Sequence, residues 1–191
     1  MSTSVAQRRD TFVKALYALH NGAGSGIPRY QSECRRTLAR LRRSLVGPRQ
    51  QSEAYELVFR HDPPESEQDI WLLVAGLFAT HPQPHRRGDR SLGTSIRALR
   101  EKRGESVTRR FEQLLGRERD ALPHHLRQLV RLLASDDVPV NYGALLDDLV
   151  ILLGDDYREP AAHRVRLRWA RDFHSPAPAP AATARTIPET L

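Results

Sequence analysis

Arginine is the residue type with which this chain could do chemistry. It supplies 28 of the 30 basic side chains, the other two being Lys14 and Lys102. A planar guanidinium can donate two parallel hydrogen bonds to a phosphate, which a lysine ammonium cannot. A GC-rich genome would also raise arginine, alanine and proline together, but it would not explain the net charge of +7. Arginines at helical spacing therefore predict binding to a phosphate-rich polyanion.

The clearest row of arginines lies in RRTLARLRRSL. On a helical wheel with Arg36 at zero, Arg40 falls near about +40° and Arg43 near about −20°. The apolar residues around Leu38 lie on the opposite side, so the arginines face away from the core. Glu33 is the single acid in this helix, and ion pairs within the helix cannot neutralise the row. Uncompensated like charge on one face favours a polyanionic partner.

Later segments repeat the pattern less cleanly. Arg97 can pair with Glu101 one turn away, and we interpret it as a surface group. The remaining basic residues of interest are Arg100, Lys102, Arg103, Arg109 and Arg110 in LGTSIRALREKRGESVTRRFEQLL, Arg127 and Arg131 in LPHHLRQLVRLL, and Arg164, Arg168 and Arg171 in RVRLRWARDF.

The charge is divided into blocks along the chain. Residues 1–50 have a net charge of +8, residues 51–85 of −5, residues 86–131 of +7 and residues 132–191 of −3. A surface that served only solubility would mix the two signs more evenly. The two basic blocks therefore indicate binding surfaces.

The hydrophobic periodicity predicts an all-α fold of about nine short helices. We expect one helical domain at 1–174, with lobes at about 7–85 and 91–174. The Ala/Pro-rich segment 175–191 is predicted to be a disordered tail, because it has too few large apolar residues to pack. The helices are predicted at 7–20, 29–45, 51–60, 67–80, 92–102, 105–116, 121–134, 141–153 and 160–173.

Several kinds of site are not supported by the sequence. Cys34 is the single cysteine, which excludes a disulfide framework and a cysteine-based zinc site. The acid pairs beginning at Asp136, Asp147 and Asp155 fall at predicted helix ends or on an exposed face, without supporting ligands. No nucleophile triad is readable. We predict no cofactor, no metal and no enzymatic activity, and, without an apolar span or signal peptide, a cytoplasmic protein with no membrane partner.

The 12 aromatic residues fall mostly at predicted core positions and are not interleaved with the arginines. This pattern argues against a platform on which bases stack. We expect contact with backbone phosphate that depends little on sequence.

Several segments, taken in their order and spacing, resemble the CasB family, the small subunit of the type I-E CRISPR surveillance complex Cascade. The resemblance covers about residues 10–174. The segments that carry it are RRTLARLRRSL, WLLVAGLFATHPQ, SLGTSIRALR, ESVTRRFEQLL, LPHHLRQLVRLL, VPVNYGALLDDL and RVRLRWARDF.

The resemblance implies an all-α, two-lobed protein without enzymatic activity, present as two copies beside the backbone and large subunits of the complex. It implies that a basic surface helps to hold the guide RNA (crRNA) with its target strand, and the displaced non-target DNA strand. A separately recruited helicase-nuclease would carry out cleavage. This role agrees with the arginine rows, because R-loop formation is nearly balanced in free energy and backbone contacts can tip it.

Carrying the family's basic positions onto matching motifs gives four first candidates: Arg29 in GIPRYQ, Arg119 in GRERDALP, Arg127 and Arg164. Arg109 comes next, with Arg86 and Arg87 in HPQPHRRGD. We place Arg119 and Arg127 outside the core. The full candidate set is Arg29, Arg36, Arg40, Arg43, Arg86, Arg87, Arg100, Arg109, Arg119, Arg127, Arg131, Arg164 and Arg168.

Two other classes of function remain open. A protein-interaction adaptor would use its arginines against acidic partner proteins or against the chain's own acidic segment 51–85. A sequence-specific helix-turn-helix regulator would need a helix rich in Asn, Gln and Arg, and these helices are poor in Asn and Gln.

Overall fold

Helices make up the regular structure of this chain. The structure is a computed structural model that describes residues 4–84 and 90–176, and these ranges contain no strand. The predicted all-α fold is confirmed. The α-helices are α1 (Val5–Ala23), α2 (Pro28–Arg43), α3 (Pro48–Gln51), α4 (Tyr55–Phe59), α5 (Gln68–Thr80), α6 (Leu92–Arg103), α7 (Glu105–Leu115), α8 (Leu122–Ser135), α9 (Tyr142–Leu153) and α10 (Glu159–His174).

The helix boundaries follow local capping signals. At α1, the Ser4 hydroxyl accepts a hydrogen bond from the Gln7 amide, and the Gln7 side chain accepts one from the Ser4 amide. Asn141 caps α9, as predicted, by accepting a hydrogen bond from a backbone amide of its first turn. Gly104 has a φ of 76°, a left-handed conformation suited to glycine, and it separates α6 from α7.

One predicted helix differs from the structure. In place of a helix at 51–60, the chain forms α3, a 3₁₀ turn at Ser52–Ala54 and then α4. The Ser52 hydroxyl donates a hydrogen bond to the Arg49 carbonyl at 3.1 Å. Serine side chains compete in this way with the backbone bonds of a regular helix. The start of the acidic segment, up to Phe59, is therefore made of short helical pieces.

The core is centred on α5. Every residue from Ile70 to Ala79 is buried, and α5 packs against α2, α4, α8 and α9. α10 packs against α6 and α9, and it buries Trp169 and Phe173. The buried apolar residues of both halves of the chain belong to one cluster. The division into two lobes stays a prediction, and residues 177–191 of the predicted tail lie outside the described ranges.

A buried carboxylate joins the first helix to this core. Arg9 donates two hydrogen bonds to Glu67, at 2.5 and 2.9 Å, and the Trp71 indole donates a third at 3.0 Å. Burial acts to raise the pKa of Glu67, but the hydrogen bonds from Arg9 and Trp71 outweigh it, so the pKa is lowered. Part of the acidic segment therefore has an internal, structural role.

Candidate nucleic-acid interface

The arginine row of α2 faces outward, as predicted, while Cys34, Leu38 and Leu41 on the opposite side are buried. Acidic side chains nevertheless neutralise part of the positive charge of this row. Arg43 donates two hydrogen bonds to Glu53, at 2.6 and 3.1 Å, and Arg40 lies 3.8 Å from Glu56.

These acids belong to the segment that follows α2, and the wheel of a single helix cannot reveal them. The expectation that the row is uncompensated was wrong for Arg40 and Arg43. Arg36 remains exposed, without a hydrogen-bond or ion-pair partner among the described residues.

Two of the four first candidates donate hydrogen bonds to backbone carbonyls. Arg127, on α8, donates a hydrogen bond to the Leu45 carbonyl at 2.9 Å, just beyond α2. Arg119 donates to the carbonyls of Leu153 and Gly154 at the end of α9, the second at 2.6 Å. Both arginines lie outside the buried core, as predicted, but they are partly buried. They hold neighbouring helices together.

The surroundings of Arg127 are also unfavourable for its positive charge. Its Nε is buried without a hydrogen-bond partner. Burial lowers the pKa of Arg127, and the positive charge of the neighbouring Arg131 lowers it further. Arg131 itself is exposed. This pair of cations on α8 has no described acid to neutralise it, so an anion here would relieve repulsion.

Arg168 pairs with Asp148, whose position we predicted wrongly from the sequence. Asp148 was expected on an exposed helix face, but it is buried and accepts hydrogen bonds from Arg168 and from the Trp169 indole, the latter at 2.7 Å. Burial raises the pKa of Asp148, against the opposing effect of these two donors. Arg168 therefore compensates a buried charge, and Arg171, which lies 3.5 Å from Asp172, is also paired.

Two arginines of α6 support the packing of α10. The guanidinium of Arg100 lies over the Phe173 ring, 4.5 Å from its centroid, in a cation–π contact. Arg97 donates hydrogen bonds to the carbonyls of Asp172 and Ser175, at 3.2 and 3.0 Å. We predicted that Arg97 is a surface group paired with Glu101. That prediction was wrong, because Arg97 instead bonds to carbonyls at the C-terminal end of α10.

The remaining candidates are more available to a ligand. Arg29 is 92% exposed and makes a loose 3.4 Å ion pair with Glu33. Such exposed pairs contribute little, so a phosphate could replace the carboxylate. Arg109, Arg131 and Arg164 are exposed and have no hydrogen-bond or ion-pair partner within the described ranges. Arg86 and Arg87 lie outside the described residues.

The sequence reasoning missed four further exposed arginines that have no ion-pair or hydrogen-bond partner in the described part of the chain. They lie in a short helix or next to helix ends, where a helical wheel gives no signal. Residue type was the one signal that could have indicated them, since three of the four have an acid as a direct neighbour in the sequence. They are Arg49, Arg90, Arg117 and Arg158.

The described residues contain no group of three or more His, Cys, Asp and Glu side chains arranged to hold a metal ion. Among the same residues, no helix has both the length and the apolar composition to cross a membrane. The features that are present define a class: an all-α protein that displays exposed, unpaired arginines on several helices.

Within that class, a family can be assigned. The model of the family described as CRISPR-associated protein Cse2 matches residues 37–174. A curated CRISPR-associated protein Cse2 from Thermus thermophilus is 32% identical over 158 residues, which cover 78% of this chain and 85% of that protein. The chain belongs to the Cse2 family, also called CasB, which confirms the resemblance read from the sequence.

Solved structures share the fold. CasB from Thermobifida fusca is 25% identical, with a TM-score of 0.69 over 91% of this chain and 100% of that chain. A chain of a CRISPR RNA-guided surveillance complex is 23% identical, with a TM-score of 0.67 over 89% of this chain and 95% of that chain. The second likeness shows the fold alone.

Proposed function

We propose that this chain is a non-catalytic, nucleic-acid-binding subunit of a type I-E CRISPR surveillance complex, acting in the cytoplasm. In this proposal it contacts the crRNA paired with the target strand and the displaced non-target strand. It does so beside the backbone and large subunits and a second copy of itself. Membership of the Cse2 family supports the proposal.

The observation that carries the nucleic-acid part is the set of exposed arginines without acidic partners on α2, α7, α8 and α10. The set contains one such arginine from each of these helices: Arg36 on α2, Arg109 on α7, Arg131 on α8 and Arg164 on α10. These four guanidinium groups have no carboxylate or carbonyl partner among the described residues, so a bound anion would not have to displace one. They offer hydrogen-bond donors to phosphate oxygens and no base-reading pattern.

The proposed role follows from the energetics of strand exchange. An RNA–DNA heteroduplex is about as stable as the DNA duplex that it replaces, so a few backbone contacts can decide whether the R-loop persists. A protein with several unpaired arginines supplies such contacts without any catalytic group.

The experiment is a titration of the full chain with labelled single-stranded DNA, duplex DNA and RNA of unrelated sequences at two salt concentrations. We expect micromolar or weaker binding that falls steeply with salt and little with sequence. Arg36→Gln, Arg131→Gln and Arg164→Gln should each weaken binding and reduce the salt slope by about one.

Arg60→Gln is the matched control. Arg60 is exposed and pairs with Glu56 at 3.2 Å within the acidic segment, so its removal changes the net charge equally but takes away no unpaired guanidinium. The control should leave binding nearly unchanged. Binding that is absent, or that does not respond to salt, would contradict the proposal.

A second candidate, a protein-interaction adaptor, is favoured by one surface. Ile151 on α9 and Leu167 on α10 are exposed apolar residues, and a shallow cavity of about 670 Å³ between them is bordered by Arg164, Arg168 and Arg171. An apolar centre with a charged rim is typical of protein interfaces. Co-purification with protein partners that survives nuclease treatment and high salt would support this role, which can coexist with nucleic-acid binding in one complex.

A further inference from the structure

One aromatic side chain lies exposed beside the arginines of α2. Eight of the 12 aromatic residues are buried, as predicted, but Tyr30, near the start of α2, is 45% exposed. Ile27, three residues earlier, is 63% exposed. Tyr30 is an exception to the pattern in which most aromatic residues occupy core positions.

The ring of Tyr30 is held in place although it is exposed. A Cβ at Gly22 of α1 would lie 2.8 Å from Cε1 of Tyr30, so the edge of the ring packs directly against the α1 backbone. A hydrogen bond between the Tyr30 hydroxyl and the Cys34 thiol raises the pKa of Tyr30. A ring held along its edge loses less entropy than a free ring when a flat ligand stacks on it.

The charges around Tyr30 favour a polyanion. Arg29 is adjacent in sequence, and Arg36 lies two turns after Arg29 on the same side of α2, about 100–120° around the helix from Tyr30. Arg35 is also exposed, and its Nε donates to the Ala23 carbonyl at 3.1 Å. Glu33 is the one acid nearby, and Arg29 already pairs with it.

A second exposed tyrosine provides the contrast. Tyr55 is 38% exposed and lies against Phe59, with a distance of 5.1 Å between the ring centroids. Its neighbours in sequence include Glu53 and Glu56, so a phosphate chain would be repelled there. Both rings are exposed, but the arginines near Tyr55 are paired with these two acids, whereas Tyr30 directly follows Arg29 in sequence.

We propose that Tyr30 is a stacking platform for an unpaired nucleobase of a single-stranded nucleic acid, with Arg29 and Arg36 contacting the adjoining phosphates. The inference rests on the proposed function and adds a base-binding site to it. A duplex cannot use this platform, because its bases are already stacked, whereas every base of a single strand has a free π-face. Tyr30 therefore gives the chain a preference for single strands that arginines alone do not give.

The test compares the wild-type chain with Tyr30→Leu, using fluorescence anisotropy with single-stranded DNA, single-stranded RNA and duplex DNA of the same length. Tyr30→Leu should weaken binding to single strands about ten-fold, because one base–aromatic stack is lost. Duplex binding should stay unchanged. The comparison of DNA with RNA shows which kind of single strand uses the platform more strongly.

Tyr55→Leu is the matched control and should change none of the three affinities. Tyr30→Phe keeps the ring and should bind single strands nearly as the wild type does. In the wild-type complex, a 2-aminopurine base in the single strand should be quenched by stacking on the ring, which is a readout that does not depend on how a variant folds.

Equal single-strand affinities of the wild type and Tyr30→Leu would overturn the inference, as would unquenched 2-aminopurine. Equal weakening of single-strand and duplex binding would also overturn it, since the ring would then act only by supporting α2. If the wild type binds no nucleic acid at all, the proposed function itself fails. If it binds and Tyr30 makes no difference, only the stacking site fails.

Discussion

Arg127 of α8 donates a hydrogen bond to the carbonyl of Leu45, 82 residues earlier in the chain, at 2.9 Å. This contact joins the basic helix α8 to the end of the basic helix α2. It also shows that an arginine from a basic row can be a structural tether. The distinction between tethered and unpaired arginines gives the first prediction.

Arg127→Ala should lower the free energy of unfolding by about 1–2 kcal/mol, because a hydrogen bond from a charged group to a half-buried carbonyl is lost. Relief of the repulsion with Arg131 offsets part of the loss. Arg131→Ala is the control, and as an exposed substitution it should change stability by less than about 0.5 kcal/mol while weakening nucleic-acid binding. Urea unfolding of the two variants measures the difference, and equal stability would contradict the tether.

Arg168→Ala should destabilise the fold in a pH-dependent way. The pKa of Asp148 is already raised above its ordinary value of 3.8, so its ionised form is costly, and removing Arg168 raises that cost. Protonated Asp148 does not need the guanidinium. The stability difference between wild type and Arg168→Ala should therefore shrink as the pH falls from about 7 towards about 4.

Thermal unfolding across that pH range measures this difference. Arg164→Ala, on the same helix and without a described partner, is the control and should show a small difference that does not vary with pH. A deficit of Arg168→Ala that is constant with pH would mean that Asp148 is not the group that Arg168 serves.

Glu53→Gln should strengthen nucleic-acid binding by a few-fold and steepen its dependence on salt. The reason is that Glu53 accepts hydrogen bonds from Nε and Nη2 of Arg43, and a neutral side chain would hold the guanidinium less strongly and leave it available to phosphate. Glu65→Gln makes the same change in net charge at an exposed acid without a described ion-pair partner. Equal strengthening by the two variants would indicate an effect of total charge alone.

Gly93→Ala should lower the free energy of unfolding by about 3 kcal/mol, because overpacking against backbone is poorly relieved. A Cβ at Gly93 would lie 2.0 Å from the Trp169 carbonyl, where α6 meets α10. The control is Gly116→Ala, whose Cβ would lie 3.5 Å from its closest neighbour, an ordinary contact. The denaturant midpoints of the two variants measure this difference in stability. Equal midpoints would show that α6 and α10 can move apart at little cost in free energy.

The helical periodicity of the sequence was sufficient for the fold class and for most helix positions. The breaks at Gly104 and Asn141 are local events, since a φ of 76° or a side-chain cap depends on a few neighbouring residues. The helix predicted at 51–60 is interrupted by a 3₁₀ turn at Ser52–Ala54, which hydrophobic periodicity does not distinguish from an α-helical turn. The core face of α2 was predicted correctly because Leu38 and Leu41 recur at helical spacing.

The sequence by itself determined that this protein is helical, basic and arginine-faced, and that it resembles the Cse2 family. Only the tertiary structure decided which arginines are available. Arg119, Arg127 and Arg168 meet carbonyls or a carboxylate that lie 20 to 82 residues away in the chain. Tyr30 is half exposed although the edge of its ring packs against Gly22 of α1. The physical reason is that an outward direction follows from the period of one helix, whereas the partner of a long guanidinium depends on what other helices bring within its reach.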